Sequence, residues 1–286
     1  MSLSRVWVVR TGALGDFVAT LPVLHGWRRV AAHLTVVAPR RYASLFSEAD
    51  RWLDSDDSEV LRLFRGDLDL GNVDLAVAYT TTFAAALVEA KAQCVLRTTP
   101  TPAPGIAIHD HLWAPCEPFL GPRTQGPNVV PEARRLAAMR ARLLASGFVE
   151  PPVVLAPGSG GLRKRWSLLH WHQIACSIRA PLWVGGPAEA GEMGWGVPHW
   201  EDLDLADLAA LAALCSGWVA PDSGTAHLAA AVGAPTAVVF VGATDPKNWA
   251  PPGAQIFEFP SSEAGSPALI VAWLHARPPA GRLSAL

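Results

Sequence analysis

Three short stretches carry residue types whose spacing suits anion binding and group transfer. In Arg10–Pro22, RTGALGDFVATLP, two glycines and one carboxylate stand where the apolar run VWVV hands over to a helical pattern. Asp16 has two readings there. It takes a proton from an attacking hydroxyl as a general base, or it caps the helix that follows. Gly12 and Gly15 leave room for a second reactant to approach, with Arg10 and Thr11 beside them on the acceptor side. In Ala220–Thr236, APDSGTAHLAAAVGAPT, a strand ends at Asp222, and Ser223, Gly224 and Thr225 open a helix. The first amides of such a helix lack intrahelical partners, so its start attracts phosphate. Gly224 lets an anion approach the backbone, Ser223 and Thr225 add hydroxyls, and His227 offers a further donor. The alternative is that Asp222 or Ser223 is an ordinary N-cap and His227 merely covers a helix.

The third stretch, Ala156–Ser167, APGSGGLRKRWS, is a glycine-rich loop that contains Ser159 and packs Arg163, Lys164 and Arg165 together. Cations on a loop with free backbone amides suit a diphosphate. A solvated basic turn is the competing reading. In VGGPAEAGEM, Glu189 accepts hydrogen bonds from a ribose, or it is a first-turn carboxylate meeting a helix dipole. GATDPKNWAPPG, with Thr244, Asp245, Lys247 and Trp249, reads as a plain turn. GALGDF lacks the third glycine of a dinucleotide fingerprint, and its carboxylate would repel a pyrophosphate. HDHLWAPC, His109 to Cys116, offers two histidines and a cysteine without a fourth ligand, so neither a metal nor another cofactor is expected.

Positioning these loops takes short apolar runs alternating with helical patterns. VWVVR, LTVVAP and VDLAVAY read as strands in the first half, with helices over FVATLPVLHGWRRV and from about Thr82 to Ala92. The pattern fades between Thr98 and Pro131, a Pro- and Gly-rich segment where the linker is expected. A helix over Glu132–Gly147 follows, closed by a C-cap glycine. The rhythm then restarts with PVVLAP, PLWV, WVAPD and a last buried strand, PTAVVFVG, separated by helices over SLLHWHQIACSI, DLADLAALAALCSG and TAHLAAAVG. This is an α/β chain of two doubly wound, Rossmann-like domains, 1–147 and 148–286, expected to face each other across a cleft. The terminal helix, SPALIVAWLHAR, is expected to pack back on the N-terminal domain.

With 286 residues, half of them apolar, the chain has ample core for two domains. Its 23 Lys and Arg against 25 Asp and Glu leave a net charge of −2, which gives no global reason to expect a nucleic-acid partner. Four cysteines without a C-x-x-C pair read as reduced core thiols of a cytosolic protein. There is no leader pattern and no apolar run long enough to span a membrane. Twelve tryptophans leave room for an aromatic surface that touches the inner face of the cytoplasmic membrane.

The blocks RTGALGDFVATLPVL, APGSGGLRKRWSL, WVGGPAE and PDSGTAHLAAAVGAPTAVVFVGATDPKNWAP, in that order, resemble glycosyltransferase family 9, the ADP-heptose:lipopolysaccharide heptosyltransferases. The resemblance implies a GT-B fold and a metal-independent, inverting transfer of a heptose-like sugar from a nucleotide diphosphate donor, with ADP as the nucleotide. A lipopolysaccharide-core or other saccharide acceptor would receive it. It further implies that Asp16 is the catalytic aspartate, Lys164 the lysine on the donor phosphates and Glu189 the nucleoside-side carboxylate. Asp222, Ser223 and Gly224 with His227 match the diphosphate-binding turn and helix. The stretch from Asp50 to Asp74 is acidic where acceptor sites of the family are basic, which leaves Arg10, Arg40 and Arg41 as the nearest cations for an acidic acceptor. Two other activities share the same residues: a non-catalytic nucleotide-sugar-binding module and a GT-B-like sugar epimerase.

Overall fold

Two sheets, each covered by helices, divide the chain after Asn128 into Met1–Asn128 and Val129–Leu286. The computed structural model describes residues 3–55, 57–65, 67, 69–186, 196–278 and 283. In the first unit the strands are β1 (Arg5–Val9), β2 (His33–Val37), β3 (Arg51–Leu53), β4 (Leu75–Ala78) and β5 (Cys94–Arg97). They pair in parallel in the order β3-β2-β1-β4-β5. Val6, Val8 and Val9 of β1 are buried, the continuous apolar run expected of a parallel strand covered on both faces.

The first helix, α1 (Leu14–Val30), leaves β1 after four residues and runs through Pro22. Proline removes one intrahelical hydrogen bond. Burial of Phe17, Val18, Leu21 and Leu24 outweighs that loss, since each contributes about 1.5–3 kcal/mol. Two further helices, α2 (Ser58–Phe64) and α3 (Thr81–Glu89), cover the sheet. The segment that reads as bare of regular structure holds α4 (Ile108–Trp113) and α5 (Glu117–Leu120). Its prolines hide them: Pro118 stands in the first turn of α5 and Pro115 in that of the short 3-10 turn Ala114–Cys116 between the two helices, where a missing N–H has no partner to lose. At Gly26 of α1 an added Cβ would sit 2.7 Å from Leu120 Cδ1 and 3.1 Å from the Trp113 ring, so the glycine permits the close approach of α4 and α5.

The second unit has β6 (Val153–Leu155), β7 (Pro181–Val184), β8 (His199–Trp200), β9 (Gly217–Pro221), β10 (Thr236–Phe240) and β11 (Gln255–Glu258). Their order is β11-β10-β9-β6-β7-β8, again parallel. Around them lie α6 (Ala133–Ala145), α7 (Leu168–Ser177), α8 (Leu205–Leu214), α9 (Gly224–Val232), α10 (Pro246–Trp249) and α11 (Pro267–His275). The boundary differs from the expected one at residue 147. Helix α6 packs on α8, with Arg135 bridging to Asp207 at 2.8 Å and Asp204 at 3.2 Å, and Arg142 to Asp202 at 2.7 Å. Gly147 closes α6 in the left-handed region, φ 86°. The terminal helix likewise belongs to the second unit: α11 lies on α7, and Ile270 joins a core with Trp166, Trp171 and Val239. It lies within the expected second domain, and the core it joins is that unit's own.

Eight tryptophans, Trp7, Trp27, Trp113, Trp166, Trp171, Trp183, Trp200 and Trp218, are buried, and no described tryptophan is exposed. These eight fill cores. The four cysteines are free thiols, but Cys94 and Cys176 are exposed and only Cys116 is fully buried. Among the described residues no helix is long and apolar enough to cross a membrane.

Candidate functional site

In the first sheet β1 stands between β2 and β4, and in the second β6 stands between β7 and β9. Strand order reverses at these points, and ligands of open parallel sheets bind in the crevice beyond the carboxyl ends of the strands there. The loops after β1, β4, β6 and β9 are therefore the places to look, and each unit carries an ion pair in them.

In the first unit Arg10 follows β1 and Asp16 sits in the first turn of α1. Arg10 Nη2 donates to Asp16 Oδ1 at 2.8 Å, and Ala13 N donates to Asp16 Oδ2 at 3.0 Å. The carboxylate thus reaches back to the N-cap backbone, the capping half of its two readings. It remains 26 % exposed while Arg10 is only 3 % exposed. Two oxygens offer about four lone-pair directions, so Arg10 and Ala13 leave the others for a ligand. Burial lowers the Arg10 pKa from its ordinary value, and the neighbouring Asp16 opposes that shift. The guanidinium lies over the Tyr79 ring, 5.5 Å from its centroid, and Tyr79 Oη donates to the Leu112 carbonyl at 3.0 Å. Arg10, expected among the acceptor contacts, pairs with Asp16. An added Cβ at Gly12 would lie 2.6 Å from Asp16 Oδ2, so this glycine makes space for the carboxylate. Thr11 and Gly15 are half-buried beside it. Tyr42 Oη donates to the Gly12 carbonyl at 3.3 Å, Arg41 lies over the Tyr42 ring, and Arg40 is exposed. Asp50, part of the acidic stretch, is consumed internally by Arg28 and the Leu34 amide.

In the second unit the loop after β6 and the turn after β9 meet. Lys164 Nζ donates to Asp222 Oδ2 at 2.7 Å, Thr244 Oγ1 donates to the same oxygen at 2.7 Å, and Ser159 Oγ donates to the Asp222 carbonyl at 2.9 Å. Of the three adjacent cations of the basic loop, Lys164 pairs with Asp222. Ser223 is the N-cap of α9, its hydroxyl accepting from Ala226 N at 3.4 Å and lying 3.1 Å from Thr225 Oγ1. The cap satisfies one amide, while the first-turn amides of Gly224 and Thr225 have no acceptor within the helix. His227 is buried in the next turn, and Gly233, φ 89°, closes the helix. Glu189 lies outside the described residues.

Two residues escaped the sequence reading. Thr244 reads as part of a plain turn, yet its loop follows β10, the neighbour of β9, which brings it to Asp222. Tyr79 was read as a strand end; its position after β4, across the switch point from Arg10, was the available signal. Among the described residues no group of three or more His, Cys, Asp or Glu is placed to hold a metal ion. His111 Nε2 lies 2.8 Å from the Thr99 carbonyl, and burial pushes the Cys116 thiol up to about 11.

A profile of glycosyltransferase family 9 (heptosyltransferase) matches residues 201–269, which include Asp222–His227 and Thr244. No curated protein sequence matches the chain. Among solved structures, the E. coli ADP-heptose lipopolysaccharide heptosyltransferase II shares 15% identity with a TM-score of 0.77, over 95% of this chain and 98% of that one. A family 9 glycosyl transferase from Veillonella parvula shares 17% identity at 0.75, over 90% and 87%. The E. coli heptosyltransferase WaaC with ADP shares 18% at 0.70, over 95% and 99%. At these identities the likeness establishes the fold, two doubly wound units of the GT-B type. The resemblance to glycosyltransferase family 9 read from the sequence is borne out, with the profile resting on the second unit.

Proposed function

We propose that the chain is an inverting glycosyltransferase that moves a heptose-like sugar from an ADP-sugar to a saccharide acceptor, with the lipopolysaccharide core as the leading acceptor class. The observation that carries this reading is the start of α9 beside Lys164: unpaired helix amides, two hydroxyls and a half-exposed ammonium offer a diphosphate both hydrogen bonds and charge. The family profile covers this turn, and WaaC, of the same fold, is known with ADP bound. In the proposed reaction the acceptor oxygen bonds to the anomeric carbon as the bond from that carbon to the diphosphate oxygen breaks. ADP leaves with the electron pair, its growing charge met by Lys164 and the α9 amides. The acceptor proton passes to Asp16, whose carboxylate stays partly exposed beside its clasp with Arg10. One displacement inverts the anomeric centre.

Asp16→Asn tests the reading. Transfer should fall by about 10²–10⁴-fold, the usual worth of a general base, while calorimetric ADP affinity stays unchanged. Retained turnover removes Asp16 from the chemistry. ADP binding with no turnover on any acceptor by the unaltered protein would favour the non-catalytic module. A thermal-shift screen of nucleotide diphosphates checks the donor class, since a ligand bound only by the folded state raises its melting temperature.

A further inference from the structure

The clasp between Arg10 and Asp16 holds more than a helix start requires. Asp16 already meets the N-cap amide of Ala13 through Oδ2, so the capping function is complete without Arg10. Arg10 nonetheless buries its guanidinium almost fully, which is unfavourable unless the charge is paired and its donors are used. It grips Asp16 at two points: Nη2 on the carboxylate at 2.8 Å and Nε on the backbone carbonyl at 3.4 Å. Thr20 Oγ1 donates to that same carbonyl at 2.8 Å. Behind the guanidinium stands the Tyr79 ring, whose hydroxyl is anchored to Leu112 of α4, so the arginine is confined on its far side. The fork geometry of arginine makes this a directional hold rather than a point charge.

From this geometry we infer that Arg10 is a positioning residue, which sets the direction in which Asp16 presents its free lone pairs to the acceptor hydroxyl. The inference rests on the reading of Asp16 as the base. Arg10 acts through Asp16, with the Tyr79 ring as its backstop.

The test compares Arg10→Ala, Arg10→Lys and Asp16→Asn, measuring ADP release from ADP-heptose with the acceptor that the unaltered protein uses. Arg10→Ala should lower kcat about 100-fold, the effect of misplacing a reacting group by about 1 Å. KM for ADP-heptose should stay within about three-fold, because the lost interaction serves only the transition state. Millimolar guanidinium should restore part of the lost kcat by refilling the vacated space, and Arg10→Lys, which keeps the charge without the fork, should fall in between. A purely structural arginine would lower the melting temperature without splitting kcat from KM and without guanidinium rescue. Unchanged kcat in Arg10→Ala, with Asp16→Asn inactive, overturns this inference alone. Full turnover in Asp16→Asn overturns the base assignment and this inference with it.

Discussion

The two switch points are built from the same parts with their exposure reversed. In the first unit the cation is buried, at 3 % exposure, and the carboxylate faces out at 26 %; in the second the Asp222 carboxylate is buried at 6 % and the Lys164 ammonium faces out at 33 %. An ion pair of this kind presents whichever partner it leaves uncovered. On the proposed function, the carboxylate exposed in the first unit serves neutral hydroxyl groups and the ammonium exposed in the second serves phosphate oxygens. The buried member in each case holds the exposed one: Arg10 bonds Asp16, and Asp222, which also accepts from Thr244 and Ser159, bonds Lys164.

Breaking this division of labour should give opposite signatures in the two units. Asp16→Asn has the largest expected effect, about 10²–10⁴-fold on turnover with ADP affinity intact. Lys164→Ala should do the converse, weakening ADP about 10–100-fold by calorimetry, as expected for a charge-assisted contact of about 1.5–3 kcal/mol. A loss of ADP affinity in the first variant, or its retention in the second, would dissolve the comparison. Gly12→Ala sharpens it, because the new methyl would press on Asp16 Oδ2. We expect about a ten-fold drop in kcat from a displaced carboxylate, with ADP affinity unaffected. Thr244→Val removes one donor from Asp222 and should weaken ADP only a few fold, about 1 kcal/mol. The smallest effect concerns the wall behind Arg10. Cys116 lies against Tyr79, buried, with its thiol at about 11, whereas Cys94 and Cys176 are exposed. Iodoacetamide at neutral pH should modify the exposed pair and leave Cys116 intact, as mass spectrometry would show. Labelling of Cys116 in the folded protein would mean that this wall opens.

The inner strands were legible because each is buried on both faces and reads as an unbroken apolar run. β1, β2, β4, β6, β7, β9 and β10 all appear where VWVVR, LTVVAP, VDLAVAY and their counterparts placed them. The strands that escaped, β3, β5, β8 and β11, are the sheet edges. Each carries exposed positions, as in the half-covered Cys94–Arg97 and Gln255–Glu258, so no periodic signal separates it from a loop. Helices α4 and α5 were masked by prolines that are harmless in a first turn. The switch-point loops were legible as anion-binding candidates because glycine, hydroxyl and cation cluster there. Their internal pairing was not: that Arg10 is spent on Asp16 follows from how the four-residue turn between β1 and α1 folds back, and that Thr244 reaches Asp222 follows from strand order, which no local pattern encodes.

The loops that hold Arg10 and Lys164 leave β1 and β6, strands flanked on both sides within their sheets. Backbone amides in such strands exchange with solvent only on opening of the whole unit. Heating should therefore leave each ion pair assembled until its sheet melts cooperatively, so that inactivation coincides with the calorimetric transition instead of preceding it.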